Sequence, residues 1–305
     1  MSLIRRLRLP ALLAALLPVW ACQAADAEEV VDAAPVVEGA ASVTQAVASS
    51  RARLSEFTYS GQLTQGGWIR GIAPAGAVSV TLGESPVAVR DDGSFFAAFD
   101  RDEGASAKLI ATKGDGSKIE REIAIAPRAW DIERVNVARR AGGASADFMK
   151  RRQPELDRIW NARQIRSGTD GWRQDFTWPV KGRISGRFGS QRIYRGEPGA
   201  YHSGLDITTG TSGTPIIAPA DGVVVLAATG FSLEGNLLII DHGMGLNSAF
   251  LHLSAIDVAE GERVTRGQQI GRIGASGRAT GQHLHWSIKW HEARLDPLLF
   301  VDPAA

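Results

Sequence analysis

In Gly281-Gln282-His283-Leu284-His285-Trp286-Ser287-Ile288, polar and apolar residues alternate with a period of two. That is the pattern of a β-strand with one buried face. It places His283 and His285 together on one side, with Leu284 and Trp286 on the other. Working outward, the chain has six histidines, none before position 202. Upstream lie His202-Ser203-Gly204-Leu205-Asp206 and Phe250-Leu251-His252-Leu253-Ser254. In an extended segment, positions an even number apart face the same way, so His202 and Asp206 can converge on one point. Histidine is the commonest metal ligand and the side chain best suited to proton transfer near neutral pH. Its concentration in one Gly-rich, β-type segment marks that segment as the site.

Zinc takes imidazole nitrogen, carboxylate oxygen and thiolate sulfur, and a catalytic zinc has three protein ligands and an open position. The single cysteine, Cys22, falls in the N-terminal leader, so the ligands are His with Asp or Glu. Competing chemistries find little support. His291-Glu292-Ala293-Arg294-Leu295 opens like HExxH but has Leu295 where the second histidine belongs. There is no Gly-x-Ser-x-Gly elbow with a triad and no phosphate-binding loop. His242 and His291 are read as hydrogen-bonded structural residues. The combination of HxxxD, an isolated histidine and HxH reads as a zinc hydrolase.

These segments resemble the signature of the LytM/lysostaphin-type (M23) zinc metallopeptidases. The neighbouring Gly204-Leu205-Asp206-Ile207, Ala218-Pro219-Ala220-Asp221-Gly222, Asp241-His242-Gly243 and Gly274-Ala275-Ser276-Gly277-Arg278-Ala279-Thr280-Gly281 resemble it too. The resemblance covers about residues 175–300. It implies one Zn²⁺ held by His202, Asp206 and His285, with His252 and His283 as the catalytic pair. It also implies a compact antiparallel β scaffold with the metal in a groove, and hydrolysis of peptide cross-links in bacterial peptidoglycan. A water on the zinc would be the nucleophile; one histidine moves the proton and the other polarises the carbonyl. The sequence does not divide those two roles. Phe250-Leu251 stands where the family usually has Tyr-Ala, and Gln282 where proline is common; neither changes a ligand. D,D-endopeptidase activity is the preferred specificity. The alternative is a catalytically silent activator or binding module for another cell-wall hydrolase, which a complete ligand set argues against. Gln191 and Arg192, upstream of His202, are candidates for holding a substrate carboxylate.

The rest of the chain frames this domain. With 34 Lys+Arg against 33 Asp+Glu, nothing global favours nucleic acid or an anionic membrane. Residues 1–24, basic then apolar, read as a signal peptide. Val19-Trp20-Ala21-Cys22 also resembles a lipobox, so cleavage and lipid anchoring at Cys22 both stand open. Either outcome places the protein in the bacterial cell envelope, in the periplasm. Residues 25–53 read as a flexible tether. Residues 54–137 carry short β-type runs split by Asp92-Gly93 and Asp115-Gly116, and predict a small Ig-like sandwich. Such a module could engage an envelope protein partner or the wall polymer. Residues 138–171 read as a helical linker. Its helix spans about 144–166 and begins late, because Pro154 is tolerated only near a first turn. Residues 172–305 are the catalytic domain. The expected class is mostly β, with an antiparallel catalytic sheet behind the sandwich and linker.

Overall fold

The computed structural model describes residues 55–138 and 145–302; the expected leader, tether and Cys22 anchor lie outside them. The first strands are β1 (Thr58–Gly61), β2 (Trp68–Ile72), β3 (Ala77–Leu82), β4 (Ser85–Val87), β5 (Ser94–Ala98), β6 (Ser106–Lys113) and β7 (Lys118–Ala124). They form two small antiparallel sheets, ordered β1-β2-β5 and β4-β3-β6-β7. Asp92 and Asp115 each accept from the N–H two residues on, at 2.9 Å, so the Asp-Gly pairs turn the chain as their sequence demands. β8 (Ile132–Val135) then leaves this region and pairs elsewhere.

The helix, α1, runs Ala146–Gln164. Ser145 caps it, its hydroxyl accepting from the Phe148 N–H at 3.1 Å. Pro154 sits inside the helix rather than in its first turn. An internal proline removes a backbone bond and costs roughly 3 kcal/mol. Here side chains on either side of it, Arg152 and Glu155, are tied to Glu234 and Ser232 of a neighbouring loop, a tertiary contact that local propensity does not include.

The remaining strands are β9 (Arg183–Gly186), β10 (Gln191–Tyr194), β11 (Glu197–Tyr201), β12 (Leu205–Thr208), β13 (Pro215–Ile217), β14 (Gly222–Phe231) and β15 (Gly235–Gly243). They continue with β16 (Leu246–Leu253), β17 (Ala255–Ile256), β18 (Arg263–Val264), β19 (Gln269–Arg272), β20 (Leu284–Trp290) and β21 (Ala293–Leu295). The central sheet runs β18-β14-β15-β16-β20-β12-β9, with β21 added beside β20. All its pairings are antiparallel. The structure is therefore mostly β with antiparallel sheets, as expected.

Two hydrophobic clusters cover the two faces of this sheet. On one face Leu205, Ile207, Phe250, Leu284, Trp286 and Ile288 are buried, and the cluster runs on to Phe95 and Phe96 of β5. Trp68 bridges the regions, stacking on Phe96 and Phe300 and donating its indole N–H to the Leu299 carbonyl at 3.0 Å. On the other face Ala162 and Ile159 of α1 pack against Leu237, Ile239 and Ala249. Each buried Leu, Ile or Phe among them contributes about 1.5–3 kcal/mol of transfer free energy. Beyond the end of α1, that second face carries the histidines.

Candidate metal centre

Strand pairing assembles the site. Asp206 on β12 lies opposite His285 on β20, His285 opposite Leu251 on β16, and Asp206 opposite Gly186 on β9. Cross-strand partners share a face, so one row across the sheet carries Asp206 and His285 together. Leu284 and Trp286 point into the core at zero exposure, which leaves His285 on the opposite side as the alternation requires. His202 arrives differently. β12 begins only at Leu205, so His202 reaches the row through the bend at residues 202–204 rather than along a single strand.

The three groups converge closely. His202 Nε2 is 3.0 Å from Asp206 Oδ1 and 3.1 Å from His285 Nδ1, and His285 Nδ1 is 2.9 Å from Asp206 Oδ1. Among the described residues this is the one cluster able to hold a metal ion. Ligand atoms about 2.0–2.1 Å from a tetrahedral zinc lie about 3.3 Å apart. Two imidazole nitrogens and a carboxylate oxygen at 2.9–3.1 Å fit that demand with small adjustment. His202 Nδ1 donates to the Arg187 carbonyl at 3.0 Å, which fixes its tautomer and leaves the Nε2 lone pair facing inward.

Electrostatics agree with this geometry. Burial opposes the charged form of Asp206, but the His202 and His285 bonds win and hold its carboxyl well below the usual range. Burial also disfavours charge on His202; Asp206 and the Arg187 carbonyl outweigh it and raise that imidazole. His285 is lowered, chiefly by its burial. The carboxylate is thus ready to bind at neutral pH without a proton to displace.

The other two histidines flank the cluster. The His252 ring centroid is 5.0 Å from that of His283 and 6.3 Å from that of His285. His252 Nδ1 donates to the Ser276 carbonyl at 2.9 Å, and His283 Nδ1 to the Gly281 carbonyl at 2.9 Å. Each therefore presents Nε2 as its free nitrogen; that of His283 is 3.7 Å from Asp206 Oδ1. Burial, helped by repulsion from His283 and His285, lowers His252. Its backbone is left-handed, with φ of 63°.

Gln191 and Arg192 line a groove of about 1050 Å³ that opens beside His202, together with Glu133, Tyr201 and Arg278. They do not join the histidine cluster. The Gln191 amide is engaged between Arg101 Nη2 at 3.2 Å and the Gly199 carbonyl at 2.7 Å. Arg192 Nε donates to Glu133 Oε2 at 2.6 Å, across the parallel pairing of β10 with β8. His242 is structural: its Nδ1 donates to the Asp221 carbonyl at 2.8 Å and its Nε2 accepts from Ser248 Oγ at 2.5 Å. His291 sits 3.3 Å from Arg166 Nη2.

Two glycines shape the cluster by their lack of a side chain. A Cβ on Gly186 would lie 2.5 Å from Asp206 Oδ2, and one on Gly204 would lie 2.6 Å from His285 Nε2. Glycine inside a strand signals such close approach, and Gly186 in β9 carried that signal. Ser276, which orients His252, offered no comparable mark.

A family profile described as Peptidase family M23 matches residues 200–297. The peptidoglycan DD-endopeptidase ShyA of Vibrio cholerae is 40% identical over 114 residues, 36% of this chain and 26% of that protein. The murein hydrolase activator NlpD of Escherichia coli is 35% identical over 124 residues, 41% of this chain and 30% of that protein. The chain spans only 20–40% of the length of the curated relatives it matches. A crystal structure of a candidate M23 peptidase from Pseudomonas aeruginosa aligns with TM-score 0.59 and 27% identity. It covers 78% of this chain and 94% of its own, so the likeness extends beyond the matched domain. Residues 200–297, which carry the histidine cluster, match the model of peptidase family M23.

Proposed function

We propose that this protein is a zinc-dependent endopeptidase, of D,D specificity, that hydrolyses peptide cross-links of bacterial peptidoglycan. The observation that carries the reading is the convergence of His202 Nε2, Asp206 Oδ1 and His285 Nδ1 within 3.1 Å, flanked by two further imidazoles. Those three residues hold the zinc. When bound it supplies Lewis acidity, polarising a carbonyl and acidifying water. His252 and His283 each present an Nε2 lone pair, with Nδ1–H anchored on a carbonyl. Between them they accept the proton of the attacking water at Nε2; once protonated there, a ring returns a proton to the leaving amine or donates to the carbonyl oxygen as charge develops. The anchoring carbonyls keep both rings from turning, which keeps that geometry in place.

The envelope placement follows from this substrate and from relatives such as ShyA, whose name states a peptidoglycan activity. The segment 54–137 is proposed as a separate non-catalytic module that could engage an envelope partner, and 172–305 as the catalytic domain. The activator reading draws on NlpD, named as an activator. It is disfavoured because all five positions of the site are filled. Release of dye from labelled peptidoglycan tests the choice. Cleavage by the protein alone, lost on chelation and restored by zinc, supports the enzyme. Release only when a second hydrolase is present supports the activator.

A further inference from the structure

The loop Ser232–Glu234, joining β14 to β15, is gripped by α1, which lies outside the family-matched residues. Arg152 is buried, and its guanidinium forks onto Glu234, Nη1 to Oε2 at 2.6 Å and Nη2 to Oε1 at 2.7 Å. Nη1 also donates to Glu155 Oε2 at 2.8 Å. The Glu155 carboxylate in turn accepts from Ser232 N at 2.8 Å and Ser232 Oγ at 2.6 Å. One face of the helix therefore holds the loop at both ends.

The other side of that loop holds His252. The Glu234 carbonyl accepts the His252 N–H at 2.9 Å. Asn236 N donates to Ser276 Oγ at 2.8 Å, and the Ser276 carbonyl is the acceptor for His252 Nδ1. The Leu233 carbonyl accepts from Arg278 N at 2.9 Å, closing the same unit. The backbone of His252 hangs directly from residues 232–236, and its ring is tied to them through Ser276. A left-handed histidine is unfavourable and persists only where its surroundings over-determine it. Here it reverses the face of the strand, so Leu251 packs with the helix-side cluster and Leu253 with the opposite one. A buried ion pair adds little net stability over an apolar contact, but a two-pronged Arg–carboxylate fork fixes position sharply.

We infer that Arg152, with Glu155, is a positioning residue for His252: α1 sets the loop, and the loop sets the left-handed backbone and ring orientation of the catalytic imidazole. This rests on the proposed role of His252 in catalysis. The test uses the zinc-loaded full chain with Arg152→Ala, Arg152→Lys and, as control, Arg158→Ala, which removes an exposed ion pair to Glu260 on the same helix. Amide exchange of His252, zinc content, and kcat and KM on a cross-linked muropeptide are measured together. Arg152→Ala should speed His252 exchange at least about tenfold relative to the β20 amides and lower kcat about 10–100-fold, the loss expected for roughly 1 Å of misplacement. KM and zinc content should stay within twofold, Arg152→Lys should recover part of kcat, and Arg158→Ala should match wild type. His252 exchange unchanged in Arg152→Ala overturns the inference, as does a kcat loss no larger than the loss of zinc. If Arg152→Ala does not fold, Glu234→Gln keeps the shape of the fork and carries the same expectation at smaller amplitude. A wild-type protein that cleaves nothing while His252 exchange still responds would refute the proposed function and leave the positioning intact.

Discussion

Gly186→Ala is a one-carbon test of the ligand cluster. The added Cβ would stand 2.5 Å from Asp206 Oδ2 and 3.1 Å from both Asp206 Cγ and His202 Cε1. Ordinary contact requires about 3.4 Å or more, so carboxylate and strand must part by about 0.5–0.9 Å. The carboxylate has little room to retreat, because its Oδ1 already meets His202 and His285 at 3.0 and 2.9 Å. Metal sites tolerate about ±0.2 Å, and disturbing the groups that orient a ligand costs about 10–100-fold in affinity. That corresponds to about 1.4–2.8 kcal/mol. The fold itself should survive, since alanine in a strand recovers roughly 0.5–1 kcal/mol of backbone entropy relative to glycine. Titration against a chromogenic chelator reads the affinity, and a melting curve checks the fold. A folded Gly186→Ala protein with wild-type zinc affinity would refute the idea that β9 braces Asp206.

Other perturbations separate the roles of individual groups. His252→Ala should retain a full equivalent of zinc and lose about 10²–10⁴ in kcat, the usual weight of positioned proton transfer; a fully active variant contradicts the catalytic assignment. His242 is buried and pushed down to about 4, so it stays neutral in the folded chain while the unfolded chain takes up a proton below about 6.5. Its contribution to stability is therefore full above pH 6.5 and falls by up to about 3 kcal/mol as the pH drops through that window. An NMR titration should find the His242 ring unprotonated at pH 5, and a midpoint near 6.5 would refute it. Arg101 is buried, donates to the Gly189 carbonyl at 2.9 Å and lies 4.5 Å from the Tyr201 ring centroid. Arg101→Ala should cost about 2–3 kcal/mol in urea denaturation, and no loss would show that the groove wall does not depend on it.

What was legible in the sequence was whatever period and spacing encode. Leu284 and Trp286 alternate with His283 and His285, so the strand and its polar face could be read directly. Contacts between distant segments were not encoded that way. Nothing near Arg152 announces Glu234, 82 residues on, and local propensity does not foresee a helix that continues through Pro154. His202 and Asp206 meet through a bend ahead of β12 rather than along a strand. Arg192 was read as a candidate for holding a substrate carboxylate; the parallel strand β8 supplies Glu133 as its partner, a pairing that local pattern cannot foresee.

The most direct test of the central claim is mass spectrometry of muropeptides after purified protein is incubated with peptidoglycan, with and without a zinc chelator. The account predicts that cross-linked dimers give way to monomers at masses set by hydrolysis of the D-Ala–diaminopimelate bond, and that chelation abolishes the change. An unchanged profile from folded protein carrying a full equivalent of zinc would contradict it.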